Sequence, residues 1–405
     1  MGDGALVVDA DGHVMEPEDC WSARMDAERW GDWIPRKITE DECYDTIWTG
    51  GVVRGGGREL HDQMAAAVGL TPQELYDLMA SLRVDGGHDP DARIAALDAD
   101  GIDAAVVYPS QGMFFGPCDP IPALHDVEFV ADCQRAYNDW VADFCAAHPK
   151  RLFGVAGVPL QDVDRAIAEA HRACGERGLI AVFLRPSSYL TDESGRELPL
   201  HHPAYDPFWA AMQELGVPVA FHPGVHIDTP GACRKFGLVA ESENMSVTNM
   251  ATDELYGGSA LGQAVGNAVD MIVTMGRLLM GGVCERFPDL KLVFLESGGG
   301  WVPTQLERMD EQVEAFPLER RKLSLLPSEY FKRQGWVCFE AEEWNLAACA
   351  EFLGPDRVLW ATDYPHPEYH PGVVDELREH LAPLDDAAQR RILGENAVAV
   401  YDLAL

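Results

Sequence analysis

Eight short apolar runs, separated by stretches typical of amphipathic helices, constrain the fold of this chain more than any other feature of its sequence. Alternating strands and helices are typical of α/β proteins. The sequence contains no GxGxxG phosphate loop, the motif that would favour a doubly wound sheet. A length of 405 residues fits one α/β barrel with an insertion. We therefore predict a single domain over residues 1–405, an α/β fold of the (β/α)8 TIM barrel type. The runs are ALVVDA, IDAAVVYP, FGVAGVP, LIAVFLRP, VPVAFHPG, KLVFLESG, WVCFEA and RVLWATDYP.

The main departure from a plain barrel is the segment 16–90, between the first and second predicted strands. Its DTIWTGGVVRGGG stretch is typical of a hairpin that turns at Gly50 and Gly51, and TPQELYDLMASL is typical of a helix. Loops after barrel strands lie at the C-terminal face, where active sites are found. We interpret 16–90 as a lid, with a plain structural elaboration as the alternative. A second long connection, 225–277, is expected to add helices at the same rim.

Charge and cysteine usage limit the partners and the compartment. The formal net charge of -36 disfavours nucleic acid and anionic membranes, which the chain would repel. The ten cysteines are scattered without a CxxC pair, which favours reduced thiols in the cytoplasm. The first residues show no basic region followed by an apolar stretch, the pattern of a secretory signal peptide. No apolar run is long enough to span a membrane. We expect a cytoplasmic protein that acts on a small molecule.

Metal-ligand side chains follow four of the eight predicted strands. In a barrel these strand ends meet at one mouth, so the side chains are expected to lie within a small volume. Concentrated carboxylates repel one another unless a cation is present, and the sequence therefore predicts a metal site. The residues are Asp11 and His13 after the first strand, His222 and His226 after the fifth, Glu296 after the sixth, and Asp363 and His366 after the eighth.

Each of these residues alone has a plainer interpretation. His226 fits a loop histidine and His366 a helix cap, and neighbouring Asp9 fits a turn former. Glu296, between an apolar strand and three glycines, fits an acid that caps the next helix. Their joint occurrence at strand ends favours the metal site.

The chain resembles the metal-dependent amidohydrolase superfamily, in the branch that contains aromatic-acid and aminocarboxymuconate semialdehyde decarboxylases. The similar pieces are DADGHVMEP, AFHPG, GGVCERFPDLKLVFLESGGGWVP and WATDYPH. Members of that branch usually begin with HxH or ExH and place a histidine after strand six. This chain has Asp11 and His13 in the first position and Glu296 in the second. The resemblance thus implies that Glu296 is a metal ligand or a base.

The leading functional hypothesis follows from the number of candidate ligands. Six carboxylates and imidazoles exceed what one zinc ion with an open position uses, and carboxylate-rich sets suit iron or manganese. Together with resemblance to the superfamily's dinuclear iron hydroxylases, this predicts two divalent ions, iron with manganese or zinc as alternatives, and a non-haem monooxygenase. Such an enzyme needs O₂, an external reductant and an electron donor. Asp11, His13, His222 and Asp363 are the predicted ligands, Glu296 a ligand or bridge, and His226 and His366 candidates for the second metal or for catalysis.

Two further residues are predicted to bind the substrate, and other functions stay open. Arg185, in FLRP, is a candidate to hold a substrate carboxylate, with a buried ion pair as the alternative, and Trp301 is a candidate apolar wall. The competing enzyme class is a decarboxylase or hydrolase with one zinc or manganese ion, in which Glu296 acts as general base. A catalytically silent subunit is a third class. The resemblance also implies a homodimer.

Overall fold

The computed structural model of the protein describes most of the chain. The described residues are 4–405, apart from 18, 39–45, 50–51, 55–61, 63–64, 67–68, 82–84, 116–125, 224–261 and 367–368.

Eight parallel strands form one nearly closed barrel, which confirms the predicted (β/α)8 architecture. Each predicted apolar run overlaps one of them, and they follow one another around the sheet in chain order. Between the last and the first strand, the Asp363 N–H donates to Asp11 O (3.1 Å) and the His13 N–H to Tyr364 O (2.7 Å). The strands are β1 Val8–His13, β5 Ala104–Tyr108, β6 Leu152–Gly157, β7 Ala181–Leu184, β10 Val219–Phe221, β11 Leu292–Phe294, β12 Gly335–Glu340 and β13 Val358–Ala361.

Helices connect the strands and begin and end at residues suited to those places. Asp89 caps the helix Pro90–Asp100 by accepting two backbone N–H groups, and Gly216 ends the helix Asp206–Leu215 in the left-handed conformation. The described α-helices are Ala27–Trp30, Pro72–Ser81, Pro90–Asp100, Val127–Ala146, Val163–Gly175, Asp206–Leu215, Ala268–Met280, Val283–Arg286, Val302–Ala315, Pro317–Arg320, Pro327–Gln334, Leu346–Leu353, Val373–Leu381, Asp386–Arg390 and Asn396–Tyr401. π-Helical turns occupy Gly262–Asn267 and Arg391–Glu395.

Alternate strand residues divide the core into two layers. One row, including Val8, Ala10 and Val106, packs inside the barrel together with residues of the C-terminal helix. The opposite row packs against the surrounding helices and forms the larger apolar cluster. Along β1 the inward-facing residues therefore carry even numbers as far as Ala10.

A β-bulge then reverses this alternation. Asp9 lies opposite Ala105, whereas Gly12 lies opposite Val107, so β1 contains one extra residue between them. His13 is consequently paired with the inward-facing Tyr108. The bulge turns the odd-numbered residues at the end of β1 toward the inside of the barrel mouth.

The segment 16–90 contains the predicted hairpin and helix. Strands β3 (Thr46–Thr49) and β4 (Val52–Arg54) pair antiparallel, with β2 (Arg36–Ile38) on the other side of β3. The predicted turn at 50–51 lies outside the described residues. Two further short strands, β8 (Leu190–Thr191) and β9 (Glu197–Leu198), form a separate hairpin. The covering role of 16–90 stays a prediction.

Two other features of the described chain bear on the sequence analysis. All seven cysteines in the described ranges are free thiols, and six of them are buried. Within those same ranges, no helix combines the length and apolar character that a membrane crossing requires.

Candidate metal centre

Two imidazoles face each other at the barrel mouth, one from β1 and one from the residue that follows β10. The Nδ1 atom of His13 lies 3.0 Å from Pro109 O, and that of His222 lies 2.8 Å from Pro223 O. Because a carbonyl only accepts, each Nδ1 carries a hydrogen, and in the neutral ring each Nε2 carries a lone pair. The two Nε2 atoms are 3.1 Å apart. Two lone pairs at that distance repel unless a proton or a cation lies between them.

Asp11 completes this group, which we call the inner triad (Asp11, His13 and His222). Its Oδ1 atom lies 3.8 Å from Nε2 of His13 and 3.7 Å from Nε2 of His222. All three residues are buried, and their donor atoms lie within 4.8 Å of one another. Within the described part of the chain, Asp11 Oδ1 has no hydrogen-bond partner. A buried carboxylate oxygen and two imidazole nitrogens directed at one point fit a divalent ion such as zinc or manganese.

Asp363 and His366 form a second group around the same histidine, the outer triad (His13, Asp363 and His366). Asp363 Oδ1 lies 3.3 Å from Nε2 of His13 and 2.9 Å from Nδ1 of His366. Nε2 of His366 lies 3.0 Å from the Ser110 hydroxyl. The His366 ring stacks on His13 with centroids 4.1 Å apart. The outer triad is thus tied together by its own hydrogen bonds.

Glu296 contacts the inner triad and does not cap the following helix. Its Oε2 atom lies 2.7 Å from Nε2 of His222, and its Oε1 accepts a hydrogen bond from Gln263 Nε2 at 3.2 Å. The residue has a φ of 40°, an uncommon backbone conformation for a non-glycine residue. The next helix, Val302–Ala315, begins after Trp301 instead.

The electrostatics of the centre favour one shared positive charge. Burial lowers the pKa of His13 well below its usual value, and the neighbouring histidines lower it further. Burial also opposes protonation of His222, but the Glu296 and Asp11 carboxylates outweigh it and raise the His222 pKa to about 9. Burial raises the pKa of Asp11 well above its usual value. Protonation of His222 at Nε2, beside Glu296 Oε2, therefore competes with metal binding at the same atom.

Three further residues were predicted to belong to the site: Arg185, Trp301 and His226. Arg185 is buried directly after β7, and its backbone N–H donates to the Tyr189 hydroxyl at 2.8 Å. Trp301 is half-buried and donates its indole N–H to Ser297 O at 3.0 Å. Their substrate-binding roles stay predictions. His226 lies outside the described residues.

Sequence reasoning missed two polar residues near the centre. Glu340 ends β12, and burial together with the Asp363 and Glu296 carboxylates raises its pKa well above the usual range. Glu340 stands at the end of a predicted strand, as Glu296 does, so the same pattern could have identified it. Ser110, which contacts His366 across 256 positions of sequence, carries no comparable signal.

A (β/α)8 barrel with buried histidines and carboxylates at the carboxyl ends of its strands defines the class as metal-dependent barrel enzymes. The family model described as amidohydrolase matches residues 8–403, and the chain belongs to that family. The predicted superfamily is confirmed.

Curated relatives and solved structures extend this result. Gamma-resorcylate decarboxylase of Rhodococcus jostii (strain RHA1) is 25% identical over 349 residues, which cover 83% of this chain and 94% of the relative. The 2-amino-3-carboxymuconate-6-semialdehyde decarboxylase of Dictyostelium discoideum is 26% identical and covers 78% of this chain and 77% of its own length. An amidohydrolase from Mycobacterium avium subsp. paratuberculosis K-10 has the same fold, with a TM-score of 0.75, 22% identity, and coverage of 99% of this chain and 100% of that one. The 5-carboxyvanillate decarboxylase of Novosphingobium aromaticivorans, solved with bound manganese, has a TM-score of 0.65 and 20% identity. The match covers 99% of this chain and 98% of that one.

The predicted dinuclear iron monooxygenase is wrong. The curated relatives are decarboxylases, which supports the alternative hypothesis of a lyase. The two iron ions, O₂, the reductant and the electron donor have no support. The error came from inferring the reaction from the number and type of candidate ligands, which do not specify it.

Proposed function

We propose that the protein is a decarboxylase that uses one divalent ion, manganese or zinc, to remove a carboxyl group from a small aromatic or unsaturated acid. The opposed Nε2 atoms of His13 and His222 beside the orphaned Asp11 oxygen carry the metal part of this proposal. The two decarboxylase relatives, aligned over most of their length, support the reaction.

The ligands are proposed to be the inner triad, with Asp363 as a fourth carboxylate close to His13. A bound divalent ion supplies a Lewis acid that holds anionic oxygens of the substrate. Asp11 and Asp363 would neutralise part of its charge. The backbone carbonyls of Pro109 and Pro223 would keep both histidines in the tautomer that presents Nε2.

Non-oxidative decarboxylation requires a proton at the carbon that loses CO₂. The carboxylate leaves as CO₂, its bonding electrons stay on carbon, and one proton replaces it, so no oxidant is consumed. We propose that His366 supplies this proton from Nε2. Asp363 accepts a hydrogen bond from its Nδ1, and the Ser110 hydroxyl fixes its Nε2. Arg185, in this proposal, pairs with an anionic group of the substrate.

The test begins with protein stripped of metal and reloaded with Mn²⁺ or Zn²⁺. We expect CO₂ release from gamma-resorcylate or 5-carboxyvanillate without oxygen, and one deuterium at the vacated carbon in D₂O. Stripped protein is the matched control and should release no CO₂. Amide or ester hydrolysis by the reloaded protein, with no CO₂ from any aromatic acid, would instead identify a hydrolase.

A further inference from the structure

Behind the bulge of β1, on the side away from the inner triad, lies a buried charged pair. Arg93 comes from the helix Pro90–Asp100 and is fully buried, as is Asp9 of β1. Arg93 Nη1 donates to His13 O at 2.9 Å and to Tyr364 O at 3.2 Å. Its guanidinium also lies over the Tyr364 ring, 4.5 Å from the centroid. One side chain thus holds the backbone of β1 and that of the segment after β13.

Asp9 joins the same two segments through different atoms. Its Oδ1 accepts the N–H of Asp11 at 3.2 Å and the N–H of Thr362 at 3.1 Å. Its Oδ2 accepts the Thr362 hydroxyl at 2.7 Å. Burial lowers the pKa of Arg93, and the Asp9 carboxylate opposes that shift.

Gly12 makes room for both charged side chains. A Cβ atom at this position would lie closer to Arg93 Nη2 and to Asp9 Oδ2 than real Cβ atoms come to their neighbours. Gly12, at which regular pairing resumes after the bulge, therefore lets both side chains pack directly against the β1 backbone.

The four backbone groups that Arg93 and Asp9 bond in this way all belong to candidate ligands or to their direct neighbours in the chain. Arg93 holds the carbonyl of His13 and the carbonyl one residue after Asp363. Asp9 holds the N–H of Asp11 and the N–H one residue before Asp363. Burying two charged side chains is costly, so stability alone does not account for Asp9 and Arg93 at this place.

We propose that Asp9 and Arg93 are positioning residues that fix the bulge in the form that directs Asp11 and His13 at one metal ion. The proposal rests on the metal centre of the proposed function but not on its reaction. Neither residue touches the reacting atoms. Their effect is exerted through the backbone of the ligands, where partners outside the ligand set typically change metal affinity 10–100-fold.

A matched control exists at the opposite end of the barrel. Asn396 Nδ2 also donates to two backbone carbonyls, those of Pro355 and Val358, both at 2.7 Å, where β13 begins. Asn396→Ala therefore removes a buried side chain that joins backbone segments, as Arg93→Gln does, but far along β13 from Asp363. A purely structural role predicts the same result for both variants.

The experiment measures Mn²⁺ affinity by calorimetry and the Mn²⁺ electron paramagnetic resonance spectrum of stripped protein, together with the melting temperature without metal. Arg93→Gln should weaken Mn²⁺ binding about 10–100-fold and change the spectrum. Asn396→Ala should keep affinity within about twofold at a similar loss of melting temperature. The proposal would be overturned if Arg93→Gln bound Mn²⁺ as tightly as the wild type does. It would also be overturned if Arg93→Gln and Asn396→Ala lost Mn²⁺ affinity equally.

Asp9→Asn provides a second variant if Arg93→Gln does not fold. It preserves the shape and the accepting oxygen but removes the charge that faces Arg93, so Mn²⁺ affinity should fall several-fold and the spectrum should broaden. Unchanged affinity and spectrum would count against the pair. Because no turnover is measured, an error in the proposed reaction leaves these outcomes unaffected.

Discussion

The inner and outer triads share His13 but differ in how their polar atoms are satisfied. In the inner triad, two nitrogens face each other and the Asp11 Oδ1 atom has no hydrogen-bond partner among the described residues. In the outer triad, Asp363 binds Nδ1 of His366, and Ser110 binds its Nε2. The inner triad is fully buried, whereas the His366 side chain is 23% exposed.

In the proposed function, this difference separates the ion, held by the inner triad with Asp363, from the proton, carried by His366. A buried polar atom without a partner is costly, and a cation bound by the inner triad would remove that cost at Asp11 Oδ1. The outer triad has no such deficit, and its exposed histidine resembles an acid–base group held in one orientation. Ligand-type residues at one barrel mouth therefore need not all bind metal.

The largest expected effect comes from removing the orphaned carboxylate. Asp11→Ala should weaken Mn²⁺ binding on the order of 1000-fold and abolish turnover, because it deletes a ligand and not a residue that orients one. Elemental analysis and calorimetry on stripped, reloaded protein measure this. Normal metal content in Asp11→Ala would remove the distinction between the triads.

A change at His366 should act on turnover and not on the ion. His366→Gln is expected to lower kcat roughly 10²–10⁴-fold, as loss of a proton-transfer group does, while metal content stays at one ion per chain. Steady-state kinetics and elemental analysis on the same sample separate the two effects. Loss of metal from this variant would place His366 among the ligands.

Metal affinity should depend on pH through the inner triad. His222 has a pKa of about 9 without metal, above its usual 6.5, so it is protonated at neutral pH and must lose that proton when metal binds. Mn²⁺ affinity is expected to rise about tenfold per pH unit up to pH 9 and then level off. Calorimetry in buffers of different ionisation heats should detect about one proton released per ion at pH 7. A flat profile between pH 7 and 9 would contradict the raised pKa.

The smallest effect is expected at the edge of the outer triad. Ser110→Ala removes one hydrogen bond to His366, worth about 1 kcal/mol, and should lower kcat about fivefold without changing Mn²⁺ affinity. Kinetics with saturating Mn²⁺ test this. A change in affinity of the same size would show that the two triads act as one unit.

The barrel fold and the meeting of ligand-type side chains at its mouth could be predicted from the sequence, because both follow from local patterns. Apolar runs at regular spacing identify strands, and parallel strands bring Asp11, His13, His222 and Asp363 to the same end without any knowledge of long-range contacts. The contacts of Asp9, a predicted turn former, could not be foreseen, since it bonds Thr362 across 353 positions.

The reaction was mispredicted for a related reason. A list of ligand-type residues contains no information about which of them already have hydrogen-bond partners. The contact of Glu296 with His222, for example, could not be foreseen from the sequence. Mixed carboxylate and imidazole sets also serve several metals and several chemistries, so ligand type alone does not select oxygenation or decarboxylation.

The extra residue in β1 limits how this site can be copied or compared. Between Asp9 and Gly12 the inward row changes from even to odd numbers. An engineer who copied residues 8–13 one for one onto a regular strand of another barrel, with Val8 and Ala10 facing inward, would point Asp11 and His13 into the surrounding helices. In that register the graft requires an insertion. In the same way, an alignment of relatives that places its gap one residue beyond the bulge would equate an outward residue with a ligand while leaving every other strand correctly matched.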